Sequence, residues 1–163
     1  MPRVVKRLNL RPIGQLPDTN RLYLAIGLPL RDRGALETFL QQLYDPASPL
    51  YHQYLTPEQF AEKFGPTQQD YQAVSDFAKA NGLQVAGTHA NRLLLDVDGT
   101  AADIEKAFQV KILEYQHPTE GRKFYAPDVE PSVPSGIKIL DISGLNSYAR
   151  PRPMSRTVGP PHQ

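Results

Sequence analysis

Four histidines, His52, His89, His117 and His162, are the side chains in this 163-residue sequence best suited to bind a metal ion or transfer protons near neutral pH. They are scattered, and no two stand at the His-x-x-x-His spacing that places two ligands on one helical face. The sequence has no cysteine, which excludes thiolate ligands, thiolate nucleophiles and disulfides. We therefore expect no metal site, and we interpret His52, which stands among tyrosines, as a packing and hydrogen-bonding residue.

Asp96 and Asp98 are a pair of carboxylates whose spacing is compatible with acid–base chemistry. Because they are two residues apart on a predicted strand, their side chains project to the same face. That face is opposite to Leu93, Leu95 and Val97, which are predicted to be buried. We favour a solvated strand face, and a small acid–base hydrolase stays as one functional alternative.

Composition argues against several other classes of function. The net charge of +1 provides no basic field for nucleic acid. Tyr23, Phe124 and Tyr125 could stack on bases, but without basic and aromatic interleaving they are more typical of cross-strand packing. There is no Gly-rich phosphate loop, so no cofactor is expected. No run approaches the ~20 apolar residues of a membrane span, and no apolar core of a signal peptide is visible, so no membrane partner is expected.

Hydrophobic periodicity predicts the strands and helices that would position these residues. Leu22, Leu24 and Ile26 alternate with smaller or polar residues, which predicts a half-buried strand at residues 21–28. A helix capped by Asp32 is predicted next, with the apolar stripe Leu36, Phe39, Leu40 and Leu43, and a later helix has Tyr71, Val74, Phe77 and Ala78 inward and Gly82 at its end. Residues 83–88 and 92–98 are predicted to form a hairpin. A short helix capped by Thr100 follows, with Ile104, Ala107 and Phe108, and then a strand at residues 110–115 against which Phe124 and Tyr125 fold back.

The order of these elements predicts an α+β fold. Strand, helix, extra helices, strand, strand, helix and strand is the split β-α-β arrangement of ferredoxin-like domains. We expect an antiparallel sheet with helices on one face and extra helices inserted in the first crossover. Residues 1–20 are predicted to be a loosely ordered N-terminal arm, residues 21–148 the domain, and the Arg- and Pro-rich residues 149–163 an exposed linker. A last apolar segment, residues 137–145, precedes that linker.

The densest pattern in the sequence is the signature segment, residues 48–67. Its second half is typical of a helix start, with Thr56 as N-cap, Pro57 at the first helical position and Gln59 closing a capping box. Phe60 and Phe64 are four residues apart, so we expect them to share the buried face of this helix.

The ends of the signature segment indicate how it is held. Gly65-Pro66 is expected to stop the short helix, and Thr67 to cap the next one. Tyr51, Tyr54 and Leu55 supply apolar surface that something must cover. We interpret these three as part of the domain's own core rather than as an exposed patch.

Several residue types at fixed spacing make this pattern specific. The residues that form it are Pro49, Tyr51, His52, Tyr54, Leu55, Thr56, Phe60, Phe64, Gly65 and Pro66, with Leu28-Pro29-Leu30, Asn81-Gly82-Leu83, Phe124-Tyr125-Ala126-Pro127 and Val133-Pro134 around them. Together they resemble the activation domain, or propeptide, of the sedolisin or kumamolisin-like serine-carboxyl peptidases. The resemblance covers residues 20 to 145 and implies the same ferredoxin-like fold.

The resemblance implies that this chain is a pro-domain and not a peptidase. The family carries its nucleophile in a Gly-Thr-Ser segment, which is absent here, and its catalytic domain needs a much longer chain. The implied role is to inhibit a cognate peptidase catalytic domain and assist its folding, in an extracellular location. Cleavage in the linker would release the mature enzyme, and the candidate contact or cleavage residues are Arg150, Arg152, Met154 and Arg156.

The family acts in acid, which implies that low pH controls release. With 17 carboxylates and 18 Lys and Arg residues, carboxylate–base pairs can stabilise an interface. Such pairing lowers the pKa of a carboxylate below its ordinary value of about 4. The associated binding energy is present near neutrality and is lost as pH falls through the depressed pKa. The alternative from another class is a free-standing ferredoxin-like binding module without a peptidase partner.

Overall fold

Two antiparallel sheets and five helices build the part of the chain that the computed structural model describes, residues 3–149. The predicted α+β fold class is therefore confirmed. The elements in chain order are α1 (Arg3–Arg7), β1 (Gly14–Gln15), β2 (Arg21–Gly27), α2 (Arg33–Tyr44), α3 (Pro57–Lys63), α4 (Gln68–Ala80), β3 (Gln84–Thr88), β4 (Leu94–Thr100), α5 (Ala101–Phe108), β5 (Ile112–Gln116), β6 (Lys123–Pro127) and β7 (Asp141–Ser143).

The main sheet has the strand order β3-β4-β2-β7, with every neighbouring pair antiparallel. Leu24 of β2 lies opposite Val97 of β4, and Ile26 lies opposite Leu95, so one face carries the branched apolar side chains. The helices α4 and α5 contribute to the same core. The buried members from these elements are Leu22, Leu24, Ile26, Tyr71, Val74, Ala78, Leu95, Val97, Ala101, Ile104, Ala107 and Phe108. Burial of this alternating stripe under two helices is what holds the sheet.

The fourth strand of the main sheet, β7, comes from the last apolar segment, with Ile26 opposite Ile142. The predicted strand at residues 110–115 corresponds to β5, which lies in the second sheet. Gly144, directly after β7, has φ +98°, and a Cβ on it would lie 2.3 Å from the carbonyl oxygen of Tyr23. Only glycine combines this backbone conformation with so close an approach to β2. The strand β7 can therefore complete the main sheet because Gly144 follows it.

The strand β5 forms a second sheet with the order β1-β5-β6. A small core lies at this sheet and consists of Val5, Tyr115, Phe124 and Ala126. The expectation of a loose N-terminal arm is wrong for the described residues, because Val5 and Leu16 are buried and β1 pairs with β5. The arm contributes only two-residue and five-residue elements, which are too short to give a periodic signal.

Glu105 of α5 connects the two sheets. Its carboxylate is buried and accepts hydrogen bonds from the backbone N–H of Ile112 at 2.7 Å, from Lys111 Nζ at 2.8 Å and from the Gln15 side chain. The hydrogen bond that Lys111 donates to Glu105, together with the negative charge of Glu105, raises the pKa of Lys111. A buried carboxylate needs such a set of partners. Here Ile112 belongs to β5, Lys111 directly precedes it, and Gln15 belongs to β1.

The predicted helix boundaries depend on capping residues, and the structure confirms them. Asp32, Thr67 and Thr100 each accept a hydrogen bond from a backbone N–H in the first turn of the helix that follows. Gly82 follows α4 with φ +84°, which is the left-handed conformation that ends a helix.

Candidate interaction surface

The first half of the signature segment is a compact series of turns after α2. Backbone N–H groups of Ser48, Tyr51 and Gln53 each donate to the carbonyl three residues earlier. The N–H of His52 donates to the carbonyl of Leu43 at 3.0 Å, which ties the turns to the last turn of α2. His52 itself has φ +57°, a conformation that non-glycine residues adopt rarely.

The backbone course of the signature segment brings three aromatic rings into one stack. The ring centroids of Tyr51 and His52 are 3.8 Å apart with an interplanar angle of 20°. Those of His52 and Tyr54 are 6.0 Å apart with an angle of 17°. We call Tyr51, His52 and Tyr54 the aromatic surface, because Tyr51 is 40% exposed and Tyr54 is 65% exposed. The assignment of these two tyrosines to the core is therefore wrong, while Leu55 is half-buried.

The neighbouring helix α2 extends this exposed apolar area. Of its twelve residues only Leu43 is buried, and Leu40 and Tyr44 are exposed. The predicted inward stripe of α2 is thus only partly covered, with Leu36 and Phe39 half-buried. Exposed apolar side chains of this size, clustered on one part of a surface, are typical of a protein contact site.

The helix α3 directly follows the aromatic surface in the chain and packs against α2. The predicted capping box is present, with the Thr56 hydroxyl accepting from the N–H of Gln59 and the Gln59 side chain accepting from the N–H of Thr56. Phe64 is buried and Phe60 half-buried, and their ring centroids are 5.7 Å apart. Phe39 of α2 lies 5.5 Å from Phe64. These three rings hold α2 and α3 together, as edge and tilted aromatic pairs do in cores.

Gly65 and Arg31 lock the end of α3. A Cβ on Gly65 would lie 2.8 Å from the Ala61 Cα and 2.9 Å from the carbonyl oxygen of Asn91, so a side chain has no room. Arg31 donates to the carbonyls of Gly65, Ala61 and Glu62, the last turn of the helix and the residue after it. Sequence reasoning missed Arg31, because its partners become known only when the chain folds back.

The open face of the main sheet is a second exposed surface. Tyr23 is 73% exposed and lies opposite Asp98 in the register of β2 with β4. Asp98 forms an ion pair with Arg21, and this partner raises the pKa of Arg21. Asp98 is itself 9% exposed, so the expectation of a solvated carboxylate is wrong at this position. Its ion-pair partner Arg21 is one group that covers it.

Asp96 has a different partner from Asp98. Its carboxylate lies 2.9 Å from Nε2 of His89, and both side chains are less than half exposed. The two carboxylates are thus each held by a basic side chain of their own. A shared acid–base site needs two carboxyl groups directed at one substrate, so this arrangement gives the hydrolase alternative no support.

Other expectations concern metals, membranes and the linker. In the described part of the chain, no three His, Asp or Glu side chains gather closely enough to hold a metal ion. Within the same residues, no helix has the length and apolar character needed to cross a bilayer. The linker candidates Arg150, Arg152, Met154 and Arg156 lie outside the described residues.

Comparison with known families identifies the class of domain. Residues 9–148 match the family described as "Pro-kumamolisin, activation domain". The chain therefore belongs to this family of activation domains, and the resemblance carried by the signature segment is confirmed.

Individual relatives agree with the family match. Xanthomonalisin of Xanthomonas sp. (strain T-22) is 34% identical over 145 residues, which make up 88% of this chain and 17% of that protein. Sedolisin of Pseudomonas sp. (strain 101) is 28% identical over 155 residues, 94% of this chain and 26% of that protein. Tripeptidyl-peptidase sed1 of Aspergillus fumigatus is 27% identical over 151 residues, 78% of this chain and 23% of that protein. The chain thus spans about a quarter or less of the length of these relatives.

Proposed function

We propose that this chain is a pro-domain that inhibits a cognate sedolisin-type serine-carboxyl peptidase and assists the folding of its catalytic domain. The observation that carries the proposal is the family match over residues 9–148, in a chain that spans 17% and 26% of two relatives. The absence of the family's Gly-Thr-Ser segment from the sequence agrees with it. The partner is the peptidase catalytic domain, in cis in a precursor or in trans, and the location is extracellular.

The exposed aromatic side chains are the proposed contacts with the catalytic domain. Tyrosine is among the residues enriched at interface hot spots, because a large rigid ring buries much area at a small entropic cost. The aromatic surface offers Tyr51 and Tyr54, already ordered by their stacking on His52. The open sheet face offers Tyr23. Both surfaces are held on rigid supports, which lowers the cost of binding.

Release is proposed to follow acidification and cleavage in the linker, residues 149–163. Arg150, Arg152, Met154 and Arg156 are the proposed contact or cleavage residues within it. Carboxylate–base pairs across the interface would have lowered carboxylate pKa values, so binding is strong near neutrality and fades as pH falls through those values. Affinity for the peptidase that stayed constant from neutral pH down to about pH 3 would exclude this switch.

Inhibition in trans is the experiment that tests the proposal. The purified 163-residue chain is added to a mature sedolisin-type peptidase, and residual activity is followed from weakly to strongly acidic pH. We expect inhibition at the higher pH that fades on acidification. Tyr51→Ala/Tyr54→Ala should weaken inhibition by at least about tenfold, the effect of losing roughly 1.4 kcal/mol at an interface hot spot.

Tyr23→Ala tests the second proposed surface, since Tyr23 is 73% exposed and Tyr54 is 65% exposed. A loss only in the double variant assigns the contact to the aromatic surface, and a loss only in Tyr23→Ala assigns it to the sheet. Circular dichroism of each variant verifies the fold. No inhibition at any pH by the folded chain against its own peptidase would leave the free-standing binding module as the better explanation.

A further inference from the structure

His117 is a buried histidine outside both exposed surfaces. It lies directly after β5, at the start of the loop to β6, and is 7% exposed. Its Nδ1 accepts hydrogen bonds from the backbone N–H groups of Glu120 at 3.0 Å and Thr119 at 3.4 Å. An Nδ1 that accepts from N–H donors carries no proton, so this geometry requires the neutral ring with its hydrogen on Nε2.

The face of the same ring holds the last aromatic residue before the linker. The ring centroids of His117 and Tyr148 are 4.6 Å apart with an interplanar angle of 26°. Phe124 meets both rings edge-on, at 5.9 Å from His117 and 5.1 Å from Tyr148. Tyr148 is thereby packed onto the second sheet, one residue before the proposed linker begins.

The loop that His117 shapes also binds the backbone at Tyr148. Arg122, in this loop, donates to the carbonyl of Ser147 at 2.9 Å and to the carbonyl of Tyr148 at 2.5 Å. Ser147 itself donates its N–H to the carbonyl of Tyr125 of β6 at 3.0 Å. The position of Ser147 and Tyr148, directly before the linker, thus depends on a loop whose turn is closed by the neutral His117 ring.

We propose that His117 is an acid-sensitive latch: its neutral ring fixes the backbone at Ser147 and Tyr148, directly before the linker, and its protonated ring releases it. Protonation places a hydrogen on Nδ1, which then faces two N–H donors and loses both hydrogen bonds. The turn at residues 117–120 opens, and the stacking partner of Tyr148 and the guanidinium of Arg122 move with it. The latch is closed while the ring is neutral and opens when the ring is protonated.

Charged side chains lie on the elements that pack around the His117 ring. Glu120 and Arg122 lie on the same loop and form an ion pair with each other. On the strands, Lys123 pairs with Glu114. The helix α1 packs Val5 into the small core of the second sheet and carries the exposed Lys6 and Arg7. Burial raises the pKa of the Tyr115 hydroxyl in that core, so this group stays neutral.

This latch deepens the proposed function and rests on it for its biological meaning, but it can be tested without any peptidase. Hydrogen exchange of the Ser147 amide is followed by NMR in the whole chain between pH 7.5 and 4.5, and the His117 ring is titrated in the same samples. We expect Ser147 protection, corrected for intrinsic exchange, to fall by about tenfold for each pH unit below the His117 titration, the limit for a one-proton step. Protection that persists through that titration overturns the latch.

Two variants separate His117 from other titrating groups. His117→Asn keeps an acceptor for the same two N–H groups and does not titrate, so Ser147 should stay protected to lower pH. His89→Asn removes the exposed histidine that pairs with Asp96 and should leave the Ser147 profile unchanged. A Ser147 profile that His89→Asn abolishes, or that His117→Asn leaves as in the wild type, contradicts the proposal.

Inhibition assays with the same chains distinguish the latch from the proposed function. If Ser147 opens in acid but the chain never inhibits its peptidase, the latch is correct and the pro-domain role is wrong. If inhibition fades in acid identically in the wild type and in His117→Asn, the pro-domain role is correct and the latch does not control release.

Discussion

The helices over the main sheet and the helix that precedes the signature segment use their apolar residues in different ways. Of the thirteen residues of α4, four are buried, and α5 buries five of its eight. The twelve-residue α2 buries only Leu43 and leaves Leu40 and Tyr44 exposed. All three have an apolar stripe at helical spacing, but only α4 and α5 have a sheet to cover theirs.

This difference separates residues that stabilise the domain from residues that remain available to a partner. The apolar stripes of α4 and α5 are buried against the main sheet. Phe39 of the α2 stripe packs on Phe64, and the N–H of His52 ties the aromatic surface to the carbonyl of Leu43 in α2. Leu40, Tyr44, Tyr51 and Tyr54 nevertheless remain exposed. The proposed function requires a domain that folds enough to dock and also keeps apolar side chains for a catalytic domain, and the two regions would divide these tasks.

Truncating one aromatic ring in each region gives the largest expected contrast. Phe108 of α5 is fully buried, so Phe108→Ala should lower the free energy of unfolding by about 3–5 kcal/mol through lost transfer energy and a cavity. Tyr54 is 65% exposed, so Tyr54→Ala should change it by no more than about 0.5 kcal/mol. Urea denaturation followed by circular dichroism measures both. Similar losses in the two variants would show that the aromatic surface is part of the core after all.

Much of the fold could be predicted because its determinants are local in the sequence. The alternation in β2, the capping residues Asp32 and Thr67, and Gly82 after α4 each act within a few residues. The identity of the fourth strand could not be predicted, because β7 has only three residues and its position depends on the distant contact of Gly144 with Tyr23. Such a contact has no local signal.

The candidate site was predictable in its residues but not in their exposure. The signature segment contains Tyr51 and Tyr54, but large aromatic residues are usually covered, and nothing in the sequence states what would cover them. Arg31 and Arg122 were missed for a related reason, since both bind backbone carbonyls of remote segments. Asp98 was misjudged because its partner Arg21 lies on the neighbouring strand.

The N-cap threonines of α3 and α4 allow a finer comparison of the two regions. Thr56 and Thr67 make equivalent bonds to backbone N–H groups, at 3.3 Å and 3.0 Å. Thr67→Ala should lower global stability by about 1 kcal/mol, because α4 unfolds with the core. Thr56→Ala should instead loosen α3 locally, which appears as faster hydrogen exchange in residues 57–63 and weaker inhibition with little change in global stability. Global losses of equal size would show that α3 and the core unfold as one unit.

The smallest expected effect concerns the ion pair that ties α4 to the segment before β7. The hydrogen bond from Lys138, at 3.1 Å, and that from the Thr67 hydroxyl lower the pKa of Asp70. Because the folded-state pKa lies below the unfolded value of about 3.9, the pair contributes stability above that value and loses it as pH falls through the folded-state pKa. The Lys138 side chain is 61% exposed, so solvent screening keeps the contribution small.

Asp70→Asn should therefore destabilise the domain by about 0.5 kcal/mol at pH 7 and by progressively less as pH falls below the Asp70 titration. Urea denaturation at pH 7 and at pH 3 measures this difference. Lys138→Gln is the matched variant, and it should raise the pKa of Asp70 in an NMR titration because it removes the main cause of the shift. If Asp70→Asn had the same effect at both pH values, the stabilisation would come from the side chain's shape at the start of α4. This ion pair would then add no acid sensitivity to the stability of the domain, and an acid response of the core side would have to come from other pairs, such as Glu105 with Lys111.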